Sequence, residues 1–275
     1  MLNLIKRISI LLVYTNGVVS LATASMTFGI CRQLGIDNAI LYAVFVFFST
    51  LFTYNLQRYI KSFHYSSAST LHMQWVLRNR KHLLYLLILA FVGIGGSFLA
   101  IYNGITIKSW GILMLSGIIS FFYIQKVKKT NLRSIPFIKI HLIALIWMIA
   151  VCVFPAINEG LSFSEYYHYA ILTYAYIIGI TIPFDIRDLK YDDRSFRTIP
   201  QLVGVKNAKS ISIGLLFTFF YFTIQLSPGL LYHNLFYLGF ILTILLVVFV
   251  NQTRNDLYYS GWLESSIILV GLGMV

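Results

Sequence analysis

Charge is what this chain has least of. Only 11% of its 275 residues are Asp, Glu, Lys or Arg, and only nine are acidic, against about 25% charged in an ordinary soluble domain. Too few charged side chains remain to cover a water-facing surface, which all but excludes a water-soluble enzyme. Cysteine is equally scarce. Cys31 and Cys152 stand alone in apolar stretches, without the spacing of a metal site or a redox pair, and read as packing residues. No linker, low-complexity tract or second composition appears, so residues 1–275 read as one integral membrane domain.

What is abundant is apolar surface: 58% hydrophobic residues with 22 Phe and 19 Tyr, and a mean hydropathy of +0.78. Crossing the hydrocarbon layer takes about 20 mostly apolar residues as helix. Stretches of that character lie near 8–30, 39–57, 83–102, 109–124, 138–157, 166–184, 210–227, 230–250 and 261–275. They predict an all-α, polytopic membrane bundle of about nine transmembrane helices, because runs of this length without period-2 alternation point to helices rather than a barrel. The ninth stretch is the shortest and carries Glu264 near its start. Lys6-Arg7 and Ala22-Thr23-Ala24 resemble the flanks of a signal peptide, but the apolar run continues through Met26 to Ile30, beyond the usual length of about 7–15 residues.

The net charge of +12 would suggest nucleic acid in a polar protein. Here 19 of the 21 Lys and Arg fall before the first span or in even-to-odd loops, and only Arg32 and Lys108 lie on the other face. That distribution places the N-terminus and the basic loops in the cytoplasm and removes the nucleic-acid reading. The long loops at 58–82 and 185–209 are where chemistry facing water is expected.

The scarce acids are clustered. Asp185, Asp188, Asp192 and Asp193 lie within nine positions after the sixth span. Asp185, Asp188 and Asp192 stand at i, i+3 and i+7, so a helix continuing past the membrane edge projects all three from one face. Three close carboxylates repel, and a divalent cation relieves the repulsion. Mg²⁺ is the natural candidate, being held by oxygen ligands together with substrate phosphates. The alternative is a solvated helix end neutralised by Arg187, Lys190 and Arg194.

Asp185-Ile186-Arg187-Asp188-Leu189-Lys190-Tyr191-Asp192, with the trailing Arg197-Thr198-Ile199-Pro200-Gln201-Leu202-Val203-Gly204, resembles the second aspartate-rich motif and R-T-x-P-x-x-x-G segment of the UbiA-type intramembrane prenyltransferases. The resemblance implies two parallel four-helix repeats around a central cavity. It also implies transfer of a prenyl group from a prenyl diphosphate to a hydrophobic or aromatic acceptor with Mg²⁺, at the cytoplasmic face of the cell membrane. Asp185, Asp188 and Asp192 are then the catalytic and metal-holding residues, with Arg197 a phosphate contact.

The family's first motif, N-D-x-x-D-x-x-x-D after span 2, falls near Tyr54–Ser62, where its aspartates are absent. The corresponding positions are Asn55, Arg58 and Ser62, each 130 residues before Asp185, Asp188 and Asp192; an alignment shifted by one residue stays open. Arg58, with Lys61, is then expected to contact the diphosphate directly, since a guanidinium pairs with phosphate oxygens without a metal, although snorkelling at the membrane edge would equally place both residues here. Asn55 is the polar candidate at the mouth. Tyr123 and Lys128 occupy the loop where family members hold the diphosphate with a Tyr and a Lys, although the spacing differs. A second reading keeps the fold without catalysis, as an isoprenoid-binding or partner-binding homologue. A small-solute transporter would predict broken, charged mid-membrane segments in both halves, which are not evident.

Overall fold

In hydrocarbon every backbone polar group has to be satisfied within its own segment. In the computed structural model of the protein, all regular structure is accordingly helical among the described residues, which are 2–63, 71–102, 106–123, 135, 137–192 and 194–275. In chain order the helices are α1 (Leu2–Tyr14), α2 (Gly17–Gln33), α3 (Ala39–Ser62), α4 (Leu71–Arg78), α5 (Arg80–Ile101) and α6 (Ile107–Phe122). These are followed by α7 (Ile138–Met148), α8 (Phe154–Asn158), α9 (Phe163–Asp188), α10 (Ile199–Leu226), α11 (Asn234–Val248) and α12 (Glu264–Gly273). A π turn at Ile149–Val153 joins α7 to α8, and another at Leu257–Leu263 leads into α12.

Among the described residues five helical segments are long and apolar enough to cross a membrane: α3, α5, the α7–α8 unit, α9 and α10. The α1–α2 pair makes a sixth only if counted across its bend, and α6 and α11 are shorter apolar helices. The protein is therefore membrane-embedded. The expected first span at 8–30 is not one helix: it bends by 74° between Tyr14 and Gly17. Asn16 makes the break with a left-handed φ of 57°, a conformation that Asn tolerates better than most residues.

Each irregularity has a local cause. Pro155 follows the first π turn, whose widened backbone makes room for a ring that would clash with the preceding turn. Pro183 sits inside α9 and has no N–H to give the Gly179 carbonyl, so the Ser212 hydroxyl of α10 donates to that carbonyl at 2.6 Å. Gly204 bends α10 with φ of 78° and ψ of 164°, a region open only to glycine.

α9 is the central helix, packed by α7 and α10, and the largest core cluster gathers around it from α2, α11 and α12. Glycines let α12 approach its neighbours closely. A Cβ on Gly271 would lie 2.4 Å from the Ser25 carbonyl carbon of α2, and one on Gly239 of α11 would lie 2.6 Å from the Val270 nitrogen, the small-residue contact typical of membrane helices. Cys31 and Cys152 are buried and unpaired.

Candidate functional site at the acidic end of the bundle

α9 runs on to Asp188, four residues beyond the expected span, and its last turn closes with the Tyr191 and Asp192 N–H groups donating to the Asp188 carbonyl at 2.8 Å each. This carries Asp185, Asp188 and Asp192 to one place. Asp185 is 2% exposed, and burying a bare carboxylate is costly unless it is paired. Its partner comes from α7. Lys139 Nζ lies 2.8 Å from Asp185 Oδ1, 2.8 Å from Asp192 Oδ2 and 3.8 Å from Asp188 Oδ2. The contact with Asp192 is a hydrogen bond, whereas Asp185 Oδ1 has the distance of an ion pair without hydrogen-bond alignment.

Lys139 is in the first turn of α7, where the helix dipole disfavours a cation. Its place there, nearly buried, is held by the three carboxylates. Phe137 turns the chain into α7 with φ of 66°, and its N–H donates to the Phe196 carbonyl at 3.2 Å, which ties the start of α7 to the loop following the aspartates. Arg187 closes the other side, with Nε 2.8 Å from Asp188 Oδ1 and its guanidinium over the rings of Phe184 and Tyr259, 5.3 Å from each centroid. Glu264 is an electrostatic neighbour of both Arg187 and Arg58.

The five principal groups, three aspartates with Lys139 and Arg187, carry a formal charge of −1. Mg²⁺ needs oxygen ligands at about 2.0–2.1 Å. Two of the available oxygens are turned on the ammonium, and among the described residues no group of three acidic, His or Cys side chains is arranged around a metal-sized space. Lys139 Nζ thus stands between the Asp185 and Asp192 carboxylates.

Asn55 and Arg58 serve the bend in the first span. Asn55, fully buried, donates to the Thr15 carbonyl at 2.8 Å and the Leu51 carbonyl at 2.7 Å, and accepts from Asn16 at 3.2 Å. Arg58 donates to the last carbonyls of α1, at Tyr14 and Val13. Ser62, the third position of that register, is buried and gives its carbonyl to Arg80. Lys61 lies in the last turn of α3, and Arg197 is exposed on the loop before α10 with φ of 47°. Lys128 and Asp193 lie outside the described residues.

The neighbouring face of α3, one residue out of register, lines a cavity of about 710 Å³. Tyr54, Gln57 and Ile60 of α3 face it with Tyr123 at the end of α6 and Leu142, Ile143 and Trp147 of α7. Phe45, Phe98 and Phe154 line its far end. From Phe45 to Ile60 the cavity follows α3 for about 22 Å at 1.5 Å per residue. Lys139 lies on the same stripe of α7 as Leu142, Ile143 and Ile146, one turn nearer the bundle end. The aspartate cluster and the Tyr123 end of the cavity therefore share one end of the bundle.

The R-T-x-P-x-x-x-G segment has a structural role of its own. Thr198 caps α10, the Gln201 side chain accepts from the Thr198 N–H at 2.9 Å, Pro200 fills the first turn, and Gly204 makes the bend. Lys139, Tyr54 and Gln57 are the residues that sequence reasoning passed over. By sequence alone Lys139 is one more basic residue at a loop edge, and Tyr54 and Gln57 each stand one residue before Asn55 and Arg58. No protein-family model matches the chain, and no curated protein or solved structure matches it.

Proposed function

We propose that the protein is a UbiA-type prenyltransferase, transferring a prenyl group from a prenyl diphosphate to a lipophilic or aromatic acceptor. The observation that carries this reading is the long apolar cavity ending beside a cluster of buried, paired charges. In it the prenyl tail lies along α3 and α7 and the diphosphate stays at the Tyr123 end. The allylic carbon–oxygen bond breaks with its electron pair leaving on the pyrophosphate, and the acceptor bonds to the allylic carbon and gives up a proton. The aromatic rings of Tyr54 and Trp147, which line the cavity nearer that end than Phe45 does, suit a transient carbocation. Mg²⁺ would supply neutralisation of the departing diphosphate. Lys139 and Arg187 bring positive charge to this end from within the bundle, and Lys61, Lys128 and Arg197 are the further cations proposed for the phosphates. Nine spans in two parallel repeats, the N-terminus in the cytoplasm and the mouth on the cytoplasmic side of the cell membrane complete the proposal, supported by the one-sided Lys and Arg.

A second reading, isoprenoid binding without transfer, is favoured by the Lys139 ammonium between the aspartates. The two separate in one experiment. Purified protein given geranyl to geranylgeranyl diphosphates, Mg²⁺ and a panel of acceptors releases pyrophosphate if it is a transferase, and Asp188→Asn abolishes the release. Retained binding of these donors without release under any condition replaces the first reading by the second.

A further inference from the structure

We infer that Lys139 is the resident cation of the aspartate cluster: its ammonium holds the position a divalent ion would have to take, so the ligand-free protein binds no divalent metal there. Three facts converge on it. Nζ is within 2.8 Å of oxygens from Asp185 and Asp192, two residues a full two helical turns apart in sequence, so it stands between the carboxylates rather than beside one of them. The lysine is itself 8% exposed, and it lies at a helix N-terminus, where the carboxylates offset the unfavourable dipole. The start of α7 is fixed by the Phe137 to Phe196 backbone bond and the helix continues into the core through Ile140 and Ala144, so the ammonium is delivered by a packed element rather than a loose chain. A metal ion bound to the same oxygens would sit within a few ångströms of Nζ, where two cations in a poorly hydrated site repel strongly.

In the ligand-free protein one of the chain's own side chains thus fills the place of an exogenous cation, and Mg²⁺ would enter only together with the diphosphate. A lysine cannot be chelated away, and it keeps the three aspartates together before any substrate arrives. Removing its charge while keeping its length should expose a latent metal site, since deprotonated carboxylates converging on one point are what hard cations require.

The test is Mn²⁺ titration of the purified full-length protein in detergent, read by electron paramagnetic resonance, with no prenyl compound present. The native protein is expected to show no saturable site that Asp185→Asn removes. Lys139→Met is expected to bind one Mn²⁺ at least roughly tenfold more tightly than the native protein, and Lys139→Met with Asp185→Asn is expected to lose it. Lys139→Arg, which keeps a cation, should stay silent. A native protein that already binds Mn²⁺ through Asp185 overturns the inference, as does a folded Lys139→Met that binds no more tightly than the native chain. If Lys139→Met does not fold, the native and Asp185→Asn titrations decide alone: Asp185-dependent binding refutes the resident lysine, and its absence up to millimolar Mn²⁺ upholds it. Because metal alone is the probe, failure of prenyl transfer leaves this result untouched, and the reverse also holds.

Discussion

The Ser212 hydroxyl of α10 donates to the Gly179 carbonyl of α9 at 2.6 Å, the acceptor that Pro183 leaves without its usual backbone partner. Both ends of this bond are inside the bundle, and Ser212 is fully buried, so no water replaces it. Two residues after Pro183 comes Asp185, which makes the bond part of how the acidic end is positioned. Ser212→Ala should cost about 1–2 kcal/mol, the penalty for leaving a buried acceptor unpaired. Pro183→Ala restores an N–H four residues after Gly179, so in that background the Ser212→Ala penalty should fall below about 0.5 kcal/mol. Thermal unfolding of the four proteins in detergent measures the coupling; equal penalties in both backgrounds would refute the substitution of one donor for the other.

The α12 contacts give a second test. A Cβ on Gly271 meets backbone atoms of Ser25 and Met26 at 2.4–2.6 Å, which side-chain rotation cannot relieve. Gly271→Ala should therefore destabilise by about 1–3 kcal/mol despite the better helix propensity of alanine. A Cβ on Gly117 of α6 meets nothing within 4 Å, and Gly117→Ala should be neutral or stabilising by up to about 1 kcal/mol. The same substitution at two helical glycines thus has opposite signs, readable by thermal unfolding.

Gly117 also offers a direct probe of the cavity it lines. Gly117→Trp points an indole into open space rather than into a neighbouring helix, so the protein should unfold within a few degrees of the native one. Binding of a prenyl diphosphate should weaken at least roughly tenfold, about 1.4 kcal/mol, as measured by equilibrium binding of a fluorescent farnesyl analogue. Unchanged affinity would place the apolar ligand elsewhere.

Much of this was legible in the sequence, and what was not has identifiable reasons. Apolar runs marked the helices well where length and hydropathy coincide, as at α3, α5 and α9. Their ends were misjudged where a polar helix continues past the apolar stretch: α10 begins at Ile199, whereas hydropathy starts its span at 210. The bend at Asn16 was signalled by Thr15-Asn16-Gly17, a turn-forming tripeptide that averaging over an apolar run hides. Clustering of Asp185, Asp188 and Asp192 was visible because it is local. Their pairing with Lys139 was not, because it joins separate helices and nothing in the spacing distinguishes that lysine from the other basic residues.

The register of α3 provides the sharpest functional test. Asn55 and Arg58 hold the α1–α2 bend, whereas Tyr54 and Gln57 face the cavity. Asn55→Ala breaks three hydrogen bonds, two of them buried, and should destabilise the protein by about 2 kcal/mol or more. Gln57→Leu removes no such network and should change stability by no more than about 0.5 kcal/mol. If the cavity holds the prenyl donor, Gln57→Leu should alter donor affinity by roughly five- to tenfold, about the worth of one polar contact. Asn55→Ala should leave the affinity of the protein that remains folded within about twofold. Paired unfolding and binding measurements on the two variants separate the roles. If Asn55→Ala instead abolished donor binding while leaving stability intact, the face carrying Asn55 and Arg58 would be the one that meets the substrate.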